Sequence, residues 1–374
     1  MNKMAEPISP GQYMWLVAIS VVAGGIYLWP QYLVTHMGSN GIYALFTTTA
    51  IAVGVTLLEV AIALNVGQPT FLASLRKILP VLGIGFVFPI SVLVCLVTDA
   101  IILALYGHMM KSYFYPLTPI LAVEVCIVGI AWWIAIRTLS AVARSVQFWF
   151  PIILLLLVII MAFSSIHLRF LDALIPSPHF FIAPWLNSVA STWFLYANGS
   201  VVVTLTPHVE WKRPRDAYFT AAFAILGQGA VLLVFYVIGL ATLGPNGVSH
   251  LYWPLVYIFS LVSVRTFFFK GIGAFVIMAW TSSIVLYLAV HMFCFAWSVT
   301  SDIRPPAAML RWGVVAAAGG LLIGATLFVP SVVQAREVLF HWVTPATLLW
   351  TLLVVPVEWF LSTRYRRRNR EEEM

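Results

Sequence analysis

Four carboxylates of this chain, Glu59, Asp99, Glu124 and Glu358, lie inside long apolar runs, and His291 lies inside another. An ionised side chain in hydrocarbon costs about 2.5 kcal/mol or more unless it is paired or wet. Each such group is therefore either a buried structural pair or a working group, a partner for a ligand's ammonium or a stop for a proton. Asp99 falls near the middle of its run, where ligand contact and buried pairing are both open. Glu124 is read as structural or partner-facing, and Glu358, just before the basic tail Arg364 to Arg370, as interfacial. Glu59 and His291 both fall about 9–12 Å to one side of mid-run at a helical rise of about 1.5 Å per residue. They can share a proton and are candidates for proton or ion coupling, although a membrane histidine more commonly bonds a backbone carbonyl. Ser283, with Trp280, Ser282 and Tyr287, sits mid-run and can line a pocket; helix packing explains the aromatics equally well.

Two short glycine-containing stretches are the second chemical feature. Val22-Ala23-Gly24-Gly25-Ile26 precedes Trp29-Pro30, and Tyr196-Ala197-Asn198-Gly199-Ser200 precedes Pro207. Each puts a flexible point at mid-run with a proline one to two turns later. An unwound helix in lipid leaves N–H and C=O groups unpaired at a cost of several kcal/mol each, so a break persists only where protein, water or ligand satisfies them. Half-helix N-termini suit a carboxylate and carbonyl ends suit an ammonium, a pairing that a zwitterionic amino acid matches. Close helix packing is the alternative role for Gly24 and Gly25. The matching stretch at Asn198-Gly199-Ser200 favours a binding site formed by Ala23, Gly24, Gly25, Ile26, Ala197, Asn198, Gly199 and Ser200.

The elements that must position these groups are membrane helices. Apolar residues make up 62% of the 374 residues and charged residues only 9%, which a water-exposed surface cannot accommodate. Apolar runs between polar breaks predict ten spans near 10–36, 40–66, 81–110, 117–136, 138–164, 185–208, 216–243, 267–299, 307–329 and 338–362. The first is read as a retained helix rather than a signal peptide. The segment from His250 to Val264 is read as a short helix at the outer surface, because it follows Pro245 and contains Pro254. This describes an all-α integral membrane protein, one transmembrane domain over 1–374. Its halves, 10–164 and 185–362, hold five spans each and so enter from opposite sides, an inverted repeat. Of the 20 Lys and Arg, only Lys111, Arg169, Arg265, Lys270 and Arg336 fall in loops on the side away from the termini. That excess places both termini in the cytoplasm.

The same residues exclude other classes. Basic residues sit in short turns and a tail, not on one amphipathic face, so the chain is not expected to bind nucleic acid. Cys95, Cys126 and Cys294 lie in apolar stretches without metal-ligand spacing and are read as packing residues. No phosphate-binding loop or arrangement of nucleophile, base and acid is present, so no enzyme, no metal and no cofactor is expected.

The opening Ile8-Ser9-Pro10-Gly11-Gln12, the stretch Ala23-Gly24-Gly25-Ile26 with Trp29-Pro30, the region through Pro207, and Ser263-Val264-Arg265-Thr266-Phe267-Phe268-Phe269 resemble the B subunits of spore nutrient-germinant receptors, the endospore germination permeases. The resemblance runs over the whole chain in length, helix count and order. It implies membership of the amino acid, polyamine and organocation transporter superfamily, with a leucine-transporter-like five-plus-five inverted repeat whose helices 1 and 6 are broken. It further implies the bacterial spore inner membrane, a nutrient ligand such as an amino acid, and two partners, a membrane-embedded A subunit and a C-subunit lipoprotein. Many relatives carry Gly, a hydrophobic residue and Glu at the helix 6 break, where this chain has Asn198-Gly199-Ser200. Recognition of an ammonium would then fall to carbonyls, Asn198 or Asp99.

Two functions share this pocket: a nutrient-sensing receptor subunit and an autonomous proton-coupled amino acid permease. Helix 5 contains no lysine to stand in for sodium, as some proton-coupled relatives have, and this favours the receptor. Gly25→Leu should abolish the response of spores to nutrient while the protein still inserts, because the side chain fills ligand space and restricts the backbone. A normal dose–response in that variant would show that the glycines only pack.

Overall fold

The computed structural model describes residues 6–22, 28–165, 168–198, 201–261, 273–301 and 308–373. Among them, regular structure is helical: α1 Pro10–Val22, α2 Trp29–Met37, α3 Gly41–Val66, α4 Phe71–Ile78, α5 Pro80–Leu82, α6 Phe88–Tyr113, α7 Ile120–Ala135, α8 Leu139–Ser164, α9 Ile182–Thr192, α10 Val201–Leu205, α11 Pro214–His250, α12 Pro254–Leu261, α13 Gly273–Thr300, α14 Ala308–Thr326, α15 Val332–Glu337 and α16 Thr344–Glu373. Seven helical stretches among the described residues are long and apolar enough to cross a membrane, and α7 is a shorter apolar helix.

Local signals set the helix ends. Ser9 and Gln12 form a reciprocal cap at α1, with Ser9 N–H donating to Gln12 Oε1 (3.0 Å) and Gln12 N–H to Ser9 Oγ (3.2 Å). Thr70, Thr138 and Ser331 accept from the third residue beyond them and start α4, α8 and α15. In α11, Gly244 adopts φ 68° ahead of Pro245, so helical geometry stops where the expected span 216–243 ended. The segment beyond it contains the short helix α12, whose Leu255, Val256, Ile258 and Phe259 are buried in the protein. α16, expected to stop near 362, stays helical to Glu373; Arg368 and Glu372, 2.9 Å apart at i,i+4, support that exposed extension.

The helices on either side of residues 23–27 pack against those of the sixth helix: α1 lies on α10 and α2 on α9. Tyr13 and Thr206 hydroxyls, 2.9 Å apart, join one end, and Ser191 Oγ lies 3.1 Å from the Tyr32 hydroxyl at the other. Ile8 N–H donates to the His208 carbonyl (2.9 Å), tying the entry of the first helix to the exit of the sixth.

α3 is the rail against which the sixth helix is held. Its Thr48 hydroxyl is 3.0 Å from that of Thr192, its Thr49 hydroxyl is 2.6 Å from that of Tyr196, and Glu59 Oε2 accepts from Asn198 Nδ2 at 3.2 Å. α11 backs this rail through Gly229, where an added Cβ would lie 2.6 Å from Thr49 Cγ2 and 2.8 Å from Thr49 Oγ1. At Gly227 an added Cβ meets nothing within 4 Å. Gly229→Val should therefore destabilise the protein by about 1–3 kcal/mol through overpacking, while Gly227→Val stays close to the parent. Thermal unfolding of both variants in the same detergent checks this; equal midpoints would remove the close crossing of α3 and α11 as a constraint.

Candidate functional site

The sixth helix leaves helical geometry within the described residues. α9 ends at Thr192, a single 3₁₀ turn covers Trp193–Leu195, Tyr196 through Asn198 are non-helical, and α10 resumes at Val201. Gly199 and Ser200 lie outside the described residues, as do Ala23, Gly24, Gly25 and Ile26 between α1 and α2.

An internal cavity of about 90 Å³ opens beside this unwound segment. Tyr196, Ala197 and Asn198 line it from the sixth helix, Thr56 and Glu59 from α3, Cys95, Thr98 and Asp99 from α6, Tyr287 from α13, and Thr347, Thr351 and Glu358 from α16. By volume it holds several waters or a small polar group. A second cavity of about 80 Å³ adjoins it; Phe71, Ser91, Cys95 and Asp99 line both, and His291 lines the second.

Three acids face the first cavity in different states. Asp99 is buried and fully partnered: Tyr287 donates to its Oδ1 at 2.6 Å, and His291 Nδ1 lies 3.1 Å from Oδ1 and 3.0 Å from Oδ2. Glu59 is buried with the neutral amide of Asn198 on its Oε2. Glu358 is 2% exposed, and its Oε1 has no hydrogen-bond partner among the described residues. Among the described residues that line the cavity there is no Lys or Arg. Acids with no cationic side chain among their described neighbours favour positive charge in the cavity.

Asp99, Glu59, Ala197 and Asn198 thus come together at one cavity. Glu59 and His291 are not paired with each other; the histidine turns to Asp99 instead. Ser283 is buried but does not line the cavity, and its hydroxyl donates to the Ala279 carbonyl at 2.8 Å. Glu124 is buried and accepts from Thr326 at 2.8 Å, which fastens α7 to α14, a structural task. Glu358, read as interfacial from its nearness to the basic tail, is buried within the protein, where it lines the cavity. The sequence held a signal for this face, since Thr347, Trp350, Thr351, Val354, Val355 and Glu358 follow helical spacing and all six line the cavity. Cys95 was read as packing, yet its Sγ lies 3.6 Å from both Asp99 Oδ2 and His291 Nδ1.

Removing one member of the Asp99–His291 pair leaves the other buried and uncompensated. Asp99→Leu alone should cost about 3–5 kcal/mol, whereas Asp99→Leu with His291→Leu should recover much of that loss. A double-mutant cycle on unfolding measures the coupling, and purely additive losses would show that the pair is not an energetic unit.

The profile of a family described as spore germination protein matches residues 7–303. A search of curated proteins finds no match. Among solved structures, the crystal structure of MhsT in complex with L-phenylalanine is similar to this chain in fold, with a TM-score of 0.61 at 14% identity, covering 95% of this chain and 98% of that one. The fold is that of the leucine-transporter-like proteins.

Proposed function

The chain belongs to the spore germination protein family, and on that premise we propose that it is the nutrient-binding membrane subunit of a spore germinant receptor, taking a small amine-bearing solute such as an amino acid in the cavity beside the broken sixth helix. One observation carries this reading: Glu59 and Glu358, with no cationic side chain among the described residues lining the cavity, open onto the unwound Tyr196–Asn198 segment. In this reading the ammonium goes to Glu59 and Glu358, not to Asp99, whose charge His291 and Tyr287 already hold. A carboxylate on the same solute would go to Ala23, Gly24, Gly25, Ile26, Gly199 and Ser200, the positions expected from the sequence. MhsT, of the same fold, holds L-phenylalanine, which supports an amino acid as the class of ligand.

The wider assignment follows the same premise. The ten spans would be α1 with α2, α3, α6, α7, α8, α9 with α10, α11, α13, α14 and α16, in two inverted halves with both termini cytoplasmic. The membrane would be the spore inner membrane and the partners an A-type membrane subunit and a C-type lipoprotein.

Glu59→Gln keeps the Asn198 contact in size but removes the charge. It should raise the half-maximal concentration of an amino acid nutrient about tenfold to a hundredfold, the loss of a charge-assisted bond of about 1.5–3 kcal/mol, and leave an uncharged nutrient nearly unchanged. Germination dose–response at matched protein abundance tests it, and equal shifts for both nutrients would take Glu59 out of the site. Proton-driven amino acid uptake by the isolated chain in liposomes would replace the receptor reading with that of a permease.

A further inference from the structure

We propose that Cys95, Asp99 and His291 form a binding site for a divalent ion of the zinc class, with a fourth coordination position open to the two cavities. One thiol, one carboxylate and one imidazole, from α6 and α13, place their ligand atoms within 4.8 Å of one another. The three edges are 3.6 Å from Cys95 Sγ to Asp99 Oδ2, 3.6 Å from Cys95 Sγ to His291 Nδ1 and 3.0 Å from His291 Nδ1 to Asp99 Oδ2. Tetrahedral zinc, with Zn–S of about 2.3 Å and Zn–N or Zn–O of about 2.0–2.1 Å, has S–N and S–O edges of about 3.5 Å and N–O edges of about 3.3 Å. The trio therefore outlines one face of such a site with shifts of a few tenths of an ångström.

The surroundings fit as well. Tyr287 donates to Asp99 Oδ1, which fixes the carboxylate and leaves Oδ2 as the ligand atom. His291 Nδ1 faces both Asp99 oxygens, so it carries the proton that the ion would displace, and a neutral ring would then hold its proton on the buried Nε2. Charge favours the exchange at this depth: a dication with a thiolate, a carboxylate and a neutral imidazole sums to zero. The binding step is an exchange, in which the metal forms bonds to Sγ, Oδ2 and Nδ1 while the Cys95 thiol proton, with any second proton on His291, leaves to water. Cys95 and Asp99 line both cavities, which gives the ion an approach and leaves its fourth position for water. The thiol lies at equal distance from the carboxylate and the imidazole, where all three ligand atoms can face one ion. The sequence hides this site because Cys95 and Asp99 are one helical turn apart while His291 lies 192 positions beyond Asp99.

Full-length protein in lipid nanodiscs, stripped with chelator, is titrated with Co2+ and then Zn2+. The expected result is one equivalent of Co2+ with a thiolate-to-cobalt charge-transfer band, displaced by one equivalent of Zn2+. The band should vanish in Cys95→Ser and persist in Cys126→Ser and Cys294→Ser. His291→Gln should weaken Zn2+ binding by at least about tenfold. Absence of the band in the unaltered protein overturns the proposal without reference to any variant's folding, as does a band that survives Cys95→Ser. Zn2+ binding of equal strength in the unaltered and His291→Gln proteins would place the ion elsewhere and overturn it too.

Discussion

The charge and backbone polarity that this chain carries into lipid must be satisfied inside the protein, and the Glu59–Asn198 hydrogen bond is where both demands meet. Glu59 needs a donor because it is buried in a membrane helix. Asn198 belongs to a stretch whose backbone has left the helix. One contact therefore partly satisfies an acid and fixes the position of an unwound segment. Remove the rail of α3, with Thr48 and Thr49 completing the set, and the sixth helix loses its side-chain ties on that side at the point where its own hydrogen bonds stop.

This constraint explains the uneven treatment of the buried acids. Asp99 has a counter-charge partner and a phenol, and Glu124 has the Thr326 hydroxyl on α14. Glu59 and Glu358 have only an amide between them among the described residues. Ionising a carboxylate so lightly compensated at depth is costly, and the cost would fall if a cation entered. Under the proposed function, binding and folding energetics would therefore be linked through these two acids.

The sequence made the fold class and the identity of the charged groups legible for one reason. Against a background in which 62% of residues are apolar, Glu59, Asp99 and His291 stand out singly, and the family matched over residues 7–303 agrees with the resemblance read from short motifs. What it did not make legible is pairing, which depends on the rotation of each helix about its axis. His291 could be placed in depth but not in azimuth, so it was set against Glu59, and its pairing with Asp99 was not read. The burial of Glu358 was not legible for a different reason: nearness to a basic tail along the chain says nothing of which side of α16 faces the cavity. The polar face of α16, from Thr347 to Glu358, was present in the spacing, but a stripe of two threonines and one acid among aliphatic residues is easily taken for tolerance rather than design.

α3 also determines what a ligand could change. It holds Tyr196 through Thr49 and Asn198 through Glu59, on the two sides of Ala197. A cation that draws Glu59 toward itself competes with the Asn198 amide for the same carboxylate, while the Thr49–Tyr196 contact, more than two helical turns away on α3, is untouched. The unwound segment would then pivot about Tyr196. A ligand shifts a conformational equilibrium only by its difference in affinity between two states, and here that difference has a physical origin, the exchange of one neutral donor for one charged donor at Glu59. α1 packs on α10, just beyond that segment, so a movement there would meet the first helix at that contact.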